Sequence, residues 1–351
     1  MVGMDKERES VFSSVLRAFF GTLFRFIAVV VGLILLVVVV SVLSGSADTD
    51  LKLKTKVKIL PDADGTFKKL SDTAPVILRL NIRGVIGSEF LNMDKVRTQL
   101  IESRLGDLKD DRVKGIFLQI ESPGGAVIDS DVIYHALKEY KARYKVPVLA
   151  YVDGMSASGG YYIAAAADKI YASDVSIVGS VGVIMSTFFN VSQLLDKWGV
   201  QALTLSDGKG KDELNPFRPW SKDESENLKS LMDYYYQVFV NVVTSNRPIE
   251  KEALIDTYGA HIFAAPTAHT LGYIDGIEND RNVILKQLVK EAGLEGKEYQ
   301  YIELEETTWL AELFDGSKSL FSGKIVHQVQ LPPEVEMQMK HPVLFLYKPG
   351  M

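Results

Sequence analysis

Three apolar runs constrain this chain more than any other feature: VILRLNI at 76–82, GIFLQI at 115–120 and VPVLAYV at 146–152, with helical patterns between them. Strands apolar along their whole length must be covered on both faces. Their alternation with helices therefore argues an α/β domain built on a parallel sheet. The spacing predicts helices over 94–105, 129–144 and 158–167 and short strands over 169–172 and 181–184. A short helix over 192–198 leads into 201–205. A long amphipathic helix is expected over 221–244, opened by the capping box Ser221-Lys222-Asp223-Glu224, with Leu228, Leu231, Met232, Tyr235, Phe239 and Val242 on one face. Tyr234, Tyr235 and Tyr236 within it are expected to serve core and interface.

Two of the apolar runs end in glycine-rich turns that suit acyl-transfer chemistry. After GIFLQI comes Glu121-Ser122-Pro123-Gly124-Gly125, where paired glycines let the backbone turn sharply and present unobstructed N–H donors to developing negative charge. The plain alternative is a Pro-Gly turn. After VPVLAYV comes Asp153-Gly154-Met155-Ser156-Ala157-Ser158-Gly159-Gly160, followed by a helix of small residues. That order places the Ser158 hydroxyl at a helix amino end, where backbone dipoles favour an oxyanion; the plain alternative is that Ser156 or Ser158 only caps the helix. The turn lacks the G-x-S-x-G spacing of an α/β-hydrolase elbow.

A serine nucleophile needs a base. None of the five histidines, at 135, 261, 269, 327 and 341, follows Ser158 closely. A lysine kept neutral by burial is the alternative, and Lys209 and Lys211 in SDGKGKDELNPF are candidates, against the reading of a solvated charge beside Asp212 and Glu213. A third turn, Ser176 to Val183, holds serines that serve either as satisfied core hydroxyls or as hydrogen-bond partners for such a lysine.

Composition removes other classes. The 351 residues contain no cysteine, which excludes disulfides, thiol catalysis and thiolate metal sites, and the scattered histidines leave little for a His-based one. With 39 Lys+Arg against 45 Asp+Glu the net charge is −6, so no global basic field exists for nucleic acid.

At the amino end, residues 26–43 (FIAVVVGLILLVVVVSVL) carry no charge and would span ~27 Å as a helix, nearly a membrane crossing. Phe19, Phe20, Leu23 and Phe24 extend the apolar run, and Arg17 and Arg25 can snorkel to headgroups. A cleaved secretory signal ending at Ser44-Gly45-Ser46 is the competing reading. Lys6, Arg8, Arg17 and Arg25 precede the span while Asp48 and Asp50 follow it, so the cation bias puts residues 1–25 in the cytoplasm and the remainder outside. Residues 44–74 are expected as a linker, ordered near Val57 to Leu60 at best. Residues 75–290 are expected as the folded domain and 291–351 as a docking tail with the apolar end HPVLFLYKPGM.

The ordered motifs ESPGG, SASGGYYIAAAADKIYA, SIVGSVGVI and GKGKDELNPFRPW resemble the signal peptide peptidase A family of serine–lysine peptidases in its short, single-repeat bacterial form, over residues 75–290. The resemblance implies a crotonase/Clp protease-like α/β fold behind an N-terminal transmembrane helix, and peptide-bond hydrolysis by a Ser/Lys dyad. Ser158 then matches the nucleophile, Lys211 the general base with Lys209 as its neighbouring competitor, Ser180 the hydroxyl that orients the lysine, and Gly125 an oxyanion donor. The N–H of Gly159 is added as a second donor from helix-start geometry. The resemblance also implies no cofactor or metal, remnant signal peptides as substrates, and a homo-oligomeric ring in which a neighbour can supply the lysine. It places the chain in the cytoplasmic (inner) membrane with the catalytic domain on the extracytoplasmic side. Two rivals are an acyl-CoA enzyme of the same fold and a non-catalytic membrane scaffold in which Ser158 only caps a helix.

Overall fold

The computed structural model describes residues 11–43, 54–306 and 343–346, with side chains at 19–33, 35, 36 and 54–306. In chain order the helices are α1 (Val11–Leu43), α2 (Met93–Glu102), α3 (Val127–Tyr144), α4 (Gly159–Ala164), α5 (Ser192–Lys197), α6 (Glu226–Asn246), α7 (Ala265–Thr270) and α8 (Arg281–Glu291). The strands are β1 (Thr55–Leu60), β2 (Val76–Arg83), β3 (Val113–Ser122), β4 (Gly124–Ala126), β5 (Val148–Ala157), β6 (Lys169–Ala172), β7 (Ile177–Gly179), β8 (Ile184–Met185), β9 (Ile262–Ala264), β10 (Gly276–Ile277), β11 (Gln300–Glu306) and β12 (Val343–Leu346).

Two compact units divide these elements. The first takes in residues 1–52 and 307–325 and carries α1; the second comprises 53–306 and 326–351. Among the described residues no helix is long and apolar enough to cross a membrane, so the anchor expected at 26–43 enters below only as a proposal.

The second unit is organised by a nine-stranded sheet in the order β1-β11-β2-β3-β5-β6-β10, with β7 joined to β5 and β9 to β7. From β11 to β10 every neighbouring pair along that path is parallel; β1 runs antiparallel at the β11 edge, and β9 runs antiparallel to β7. Strand alternation feeds two cores. Ile77, Phe117, Leu149 and Tyr151 pack with Ile284, Leu285 and Leu288 of α8 on one face. Leu78, Leu80, Ile116, Leu118 and Ile120 pack with Ile133 and Leu137 of α3 and the small residues around α4 on the other. This two-faced burial is what the continuous apolar runs demand.

The sheet is wider than the sequence reading expects. Strand β1 lies inside the expected linker 44–74, its register running from Thr55 opposite Glu306 to Leu60 opposite Tyr301, and β11 lies beyond residue 290. Two charged residues in six hide β1 from a composition test, and only its ends, Thr55 and Leu60, are buried. The long helix starts at Glu226 rather than at 221. Ser221 and Glu224 do pair as a capping box would, Glu224 accepting from the Ser221 N–H at 3.0 Å, but they close a turn ahead of the helix because both are drawn into a cluster with Arg218. Residues 201–205 form no strand. Tyr235 and Tyr236 pack against the core while Tyr234 stays 63% exposed.

Candidate active site

Strand β5 changes partners midway, and that change builds the site. Residues 149–152 pair with β6, whereas Met155, Ser156 and Ala157 pair with Ile177, Val178 and Gly179 of β7. Gly154, with φ +108°, supplies the bend between the two halves, a conformation glycine adopts without a Cβ penalty. The strand then delivers Ser158 to the amino end of α4.

Ser158 has φ +53° and ψ −118°, a region where a side chain is strained, and is 1% exposed. Its N–H donates to the Gly179 carbonyl at 2.8 Å, and its carbonyl accepts from Tyr162 at 2.9 Å. Its hydroxyl makes no capping bond to α4, so the capping explanation for this serine fails. A strained, buried serine whose hydroxyl does no structural work at the helix start is the pattern of a nucleophile.

The other two turns are laced to this one. Ser122 lies opposite Ser156, and a Cβ on Gly160 would sit 2.8 Å from the Ser122 carbonyl, so the ESPGG and SGG turns touch through backbone. Ser122 Oγ donates to the Gly84 carbonyl at 2.7 Å and accepts from the Gly124 N–H at 3.1 Å, which fixes the start of β4. Ser180 follows the carbonyl that holds Ser158. It sits at φ +57°, is 7% exposed and donates its N–H to the His261 carbonyl at 2.7 Å. Ser158 is thus hydrogen-bonded through backbone to Gly179, the residue next to Ser180.

Gly125 is aimed by a neighbour that sequence reasoning missed. Ile86 donates its N–H to the Gly124 carbonyl and accepts from the Ala126 N–H, each at 2.9 Å. The N–H and C=O of Gly125 therefore project from the opposite edge of β4, away from Ile86. Any side chain at 125 would collide, since a Cβ would lie 1.9 Å from the Ile86 carbonyl oxygen. The signal that could have found Ile86 is its flanking pair Gly84 and Gly87, both at positive φ. Gly159 opens α4, where a first-turn N–H has no partner within the helix and is free to donate.

Lys211 is not gathered with them. It is exposed, as is Lys209, and among the described residues neither ammonium has a hydrogen-bond or ion-pair partner. No described hydrogen bond joins their loop to the turns around Ser158. The loop is instead held by Arg218, which pairs with Asp212 at 2.9 Å and Glu224 at 2.6 Å. Arg218 holds the Glu224 carboxyl down to about 2, aided by N–H groups of Ser221 and Leu214 and opposed by burial. Among the described residues, none covers the Lys211 side chain. His135 is a surface residue, 3.4 Å from Asp131 one helical turn away.

A buried serine at a strand–helix turn of an α/β fold, with a second glycine-rich turn packed against it through backbone, is an arrangement suited to acyl transfer. The Clp protease family profile matches residues 84–176, the segment that carries both turns, and the fold is of the Clp protease type. The profile of peptidase family S49 matches residues 141–295. "Putative protease slr0021" of Synechocystis is 32% identical over 212 residues, covering 60% of this chain and 73% of that protein. "Putative protease MJ0651" of Methanocaldococcus jannaschii is 38% identical over 198 residues, 56% of this chain and 63% of the relative. "Putative signal peptide peptidase SppA" of Enterococcus faecium is 32% identical over 223 residues, 62% and 64%. The chain belongs to peptidase family S49. Its matches to the last two relatives span just under two thirds of their length.

Proposed function

We propose that the chain is a membrane-anchored serine endopeptidase acting through a Ser158/Lys211 dyad on apolar peptides, remnant signal peptides among them. The observation that carries this reading is the state of Ser158: buried, strained and uncapped beside β4. Lys211, uncharged, takes the hydroxyl proton; Ser158 attacks the scissile carbonyl; the N–H groups of Gly125 and Gly159 hold the oxyanion. The resulting ammonium protonates the leaving nitrogen, and water hydrolyses the acyl-enzyme. Ser180 orients the amine.

The lysine arrives from a neighbouring copy. Its exposure fits that assignment, as does the apolar surface around its loop, where Trp198 is 79%, Leu203 84% and Leu205 87% exposed. Anchoring is supported by the 33-residue helix α1, whose described side chains Phe24, Phe26, Leu33 and Leu36 are all exposed, and by the uncharged run 26–43. The basic residues before that run favour a catalytic unit on the extracytoplasmic side of the cytoplasmic membrane.

The test is hydrolysis of a fluorogenic apolar peptide. Ser158→Ala and Lys211→Arg each lower kcat by about 10³-fold or more, because arginine keeps its proton and cannot act as a base. Lys209→Arg retains turnover. A Lys209→Arg variant that loses activity while Lys211→Arg keeps it overturns the dyad.

A further inference from the structure

Residues 208–214 form turns rather than helix or strand, yet they are braced more heavily than an exposed loop needs. The Lys211 N–H donates to the Gly208 carbonyl and the Glu213 N–H to the Gly210 carbonyl, each at 3.2 Å, and the Asn215 N–H to the Asp212 carbonyl at 3.1 Å. Arg218 then holds the residue next to the lysine. Its Nε donates to Asp212 Oδ2 at 2.9 Å, and its Nη2 to Asp212 Oδ1 at 3.1 Å and to the Asp212 main-chain carbonyl at 2.7 Å. The same guanidinium donates to both oxygens of Glu224, at 3.1 and 2.6 Å. Glu224, 7% exposed, accepts in turn from the N–H groups of Leu214 and Ser221 at 2.7 and 3.0 Å, and Leu214 sits at φ +56°. The chain just past Lys211 is therefore fixed at both 212 and 214. Its base is tied as well: the Val191 N–H donates to the Pro216 carbonyl and Asn190 Nδ2 to the Arg218 carbonyl, each at 2.8 Å.

Global stability is a poor reason for this clasp. A guanidinium bridging two carboxylates near the surface adds little, because desolvation and screening offset the attraction. The use that suits such a network is to hold one conformation of the loop. A loop that must bring a base to a serine on another copy loses conformational entropy in doing so, and ordering it beforehand removes that cost from the reaction. The two lysines differ in this respect. Lys209 stands between Gly208 and Gly210, at φ +96° and +78°, where the backbone is freest, whereas Lys211 abuts the clasped Asp212.

We propose that Arg218, with Glu224 behind it, is a positioning residue for the reaction: its grip on Asp212 holds Lys211 in the attitude in which it meets Ser158 of a neighbouring copy. The inference rests on the interchain dyad reading above. It adds the device that aims the base, and with it a physical reason for Lys211 over Lys209.

Hydrolysis of the fluorogenic apolar peptide is measured for Arg218→Gln and for Glu224→Gln, a change that keeps the side-chain shape. Each lowers kcat by at least about tenfold and leaves KM within about twofold, because the base is misplaced while the contacts to substrate persist. Arg218→Lys does not restore kcat, since an ammonium cannot bridge two carboxylates as a planar fork does. Reassembly separates aiming from a general structural role. Chains of either Gln variant keep a sound Ser158, so when unfolded, mixed and reassembled with Ser158→Ala chains they regain hydrolysis above the level of either alone. Mixed with Lys211→Ala chains, which also lack an aimed base, they do not. A wild-type kcat in either Gln variant, or recovery with Lys211→Ala, overturns the proposal and leaves the dyad standing. So does recovery with neither partner while Ser158→Ala and Lys211→Ala chains complement each other. If that last pair stays silent although wild-type chains regain activity, the interchain reading falls and the proposal with it.

Discussion

Ser158 holds a backbone conformation that glycine adopts freely and serine does not, at φ +53° and ψ −118°. Such strain costs of order 1–3 kcal/mol, whereas glycine gives back about 0.5–1 kcal/mol through the unfolded chain. Ser158→Gly is therefore expected to be about 1 kcal/mol more stable than Ser158→Ala, both being inactive; urea unfolding of the two variants measures it, and a less stable glycine variant removes the strain argument. Gly125→Ala has the opposite sign, because its Cβ would sit 1.9 Å from the Ile86 carbonyl oxygen, a backbone atom that cannot move alone. That substitution is expected to lower the melting temperature and abolish hydrolysis together. At this scale the sequence was informative where glycine was the signal. The SGG and PGG pairs marked turns, and strand–turn–helix order put Ser158 at a helix start. Ile86 was missed because it acts through backbone groups that every residue type possesses, and only the glycines beside it, Gly84 and Gly87, mark the place.

Among the elements, the loop from Lys209 to Glu224 shows what pattern reading misses. Its capping-box residues are present, but Arg218 competes for Glu224, so the turn closes early and α6 begins at Glu226. Strand β1 was hidden for a related reason: an edge strand with exposed lysines resembles a linker until β11 is known to lie beside it. The Arg218 clasp carries a pH prediction. The Glu224 carboxyl is held down to about 2 from an ordinary 4.5, first by Arg218. Its contribution is complete above about 4.5 and is lost as pH falls toward about 2. Trp220, whose indole N–H donates to the Asn215 carbonyl at 2.8 Å, reports on the same loop. Its fluorescence should change across that window, and Glu224→Gln should show the loosened signal already at neutral pH. A Glu224→Gln spectrum identical to the wild type at both pH values removes the clasp from the account.

At the scale of the whole molecule, β5 and β7 bring Ser158, Gly159 and Ser180 together, the Ser122–Gly125 turn packs beside them, and Lys211 stays exposed on its own loop. The fold class was legible because apolar strands, glycine turns and helices agree in their order. The lysine's position was not, because nothing in one chain's pattern says which copy of a loop meets which site. An interchain dyad makes a prediction that an intrachain one cannot share. Ser158→Ala chains keep a competent lysine and Lys211→Ala chains keep a competent serine, so each alone is inactive. When the two are unfolded, mixed and reassembled, an intrachain dyad stays dead in every subunit. An interchain dyad is rebuilt wherever a Lys211→Ala chain neighbours a Ser158→Ala chain on the donating side, in about a quarter of sites for random mixing around a ring. Recovery of peptide hydrolysis toward that fraction, absent when either variant is reassembled alone, assigns the base to the neighbour. Silence of the mixture, with wild-type chains regaining full activity through the same procedure, returns Lys211 to its own chain and requires the 201–220 loop to fold over Ser158.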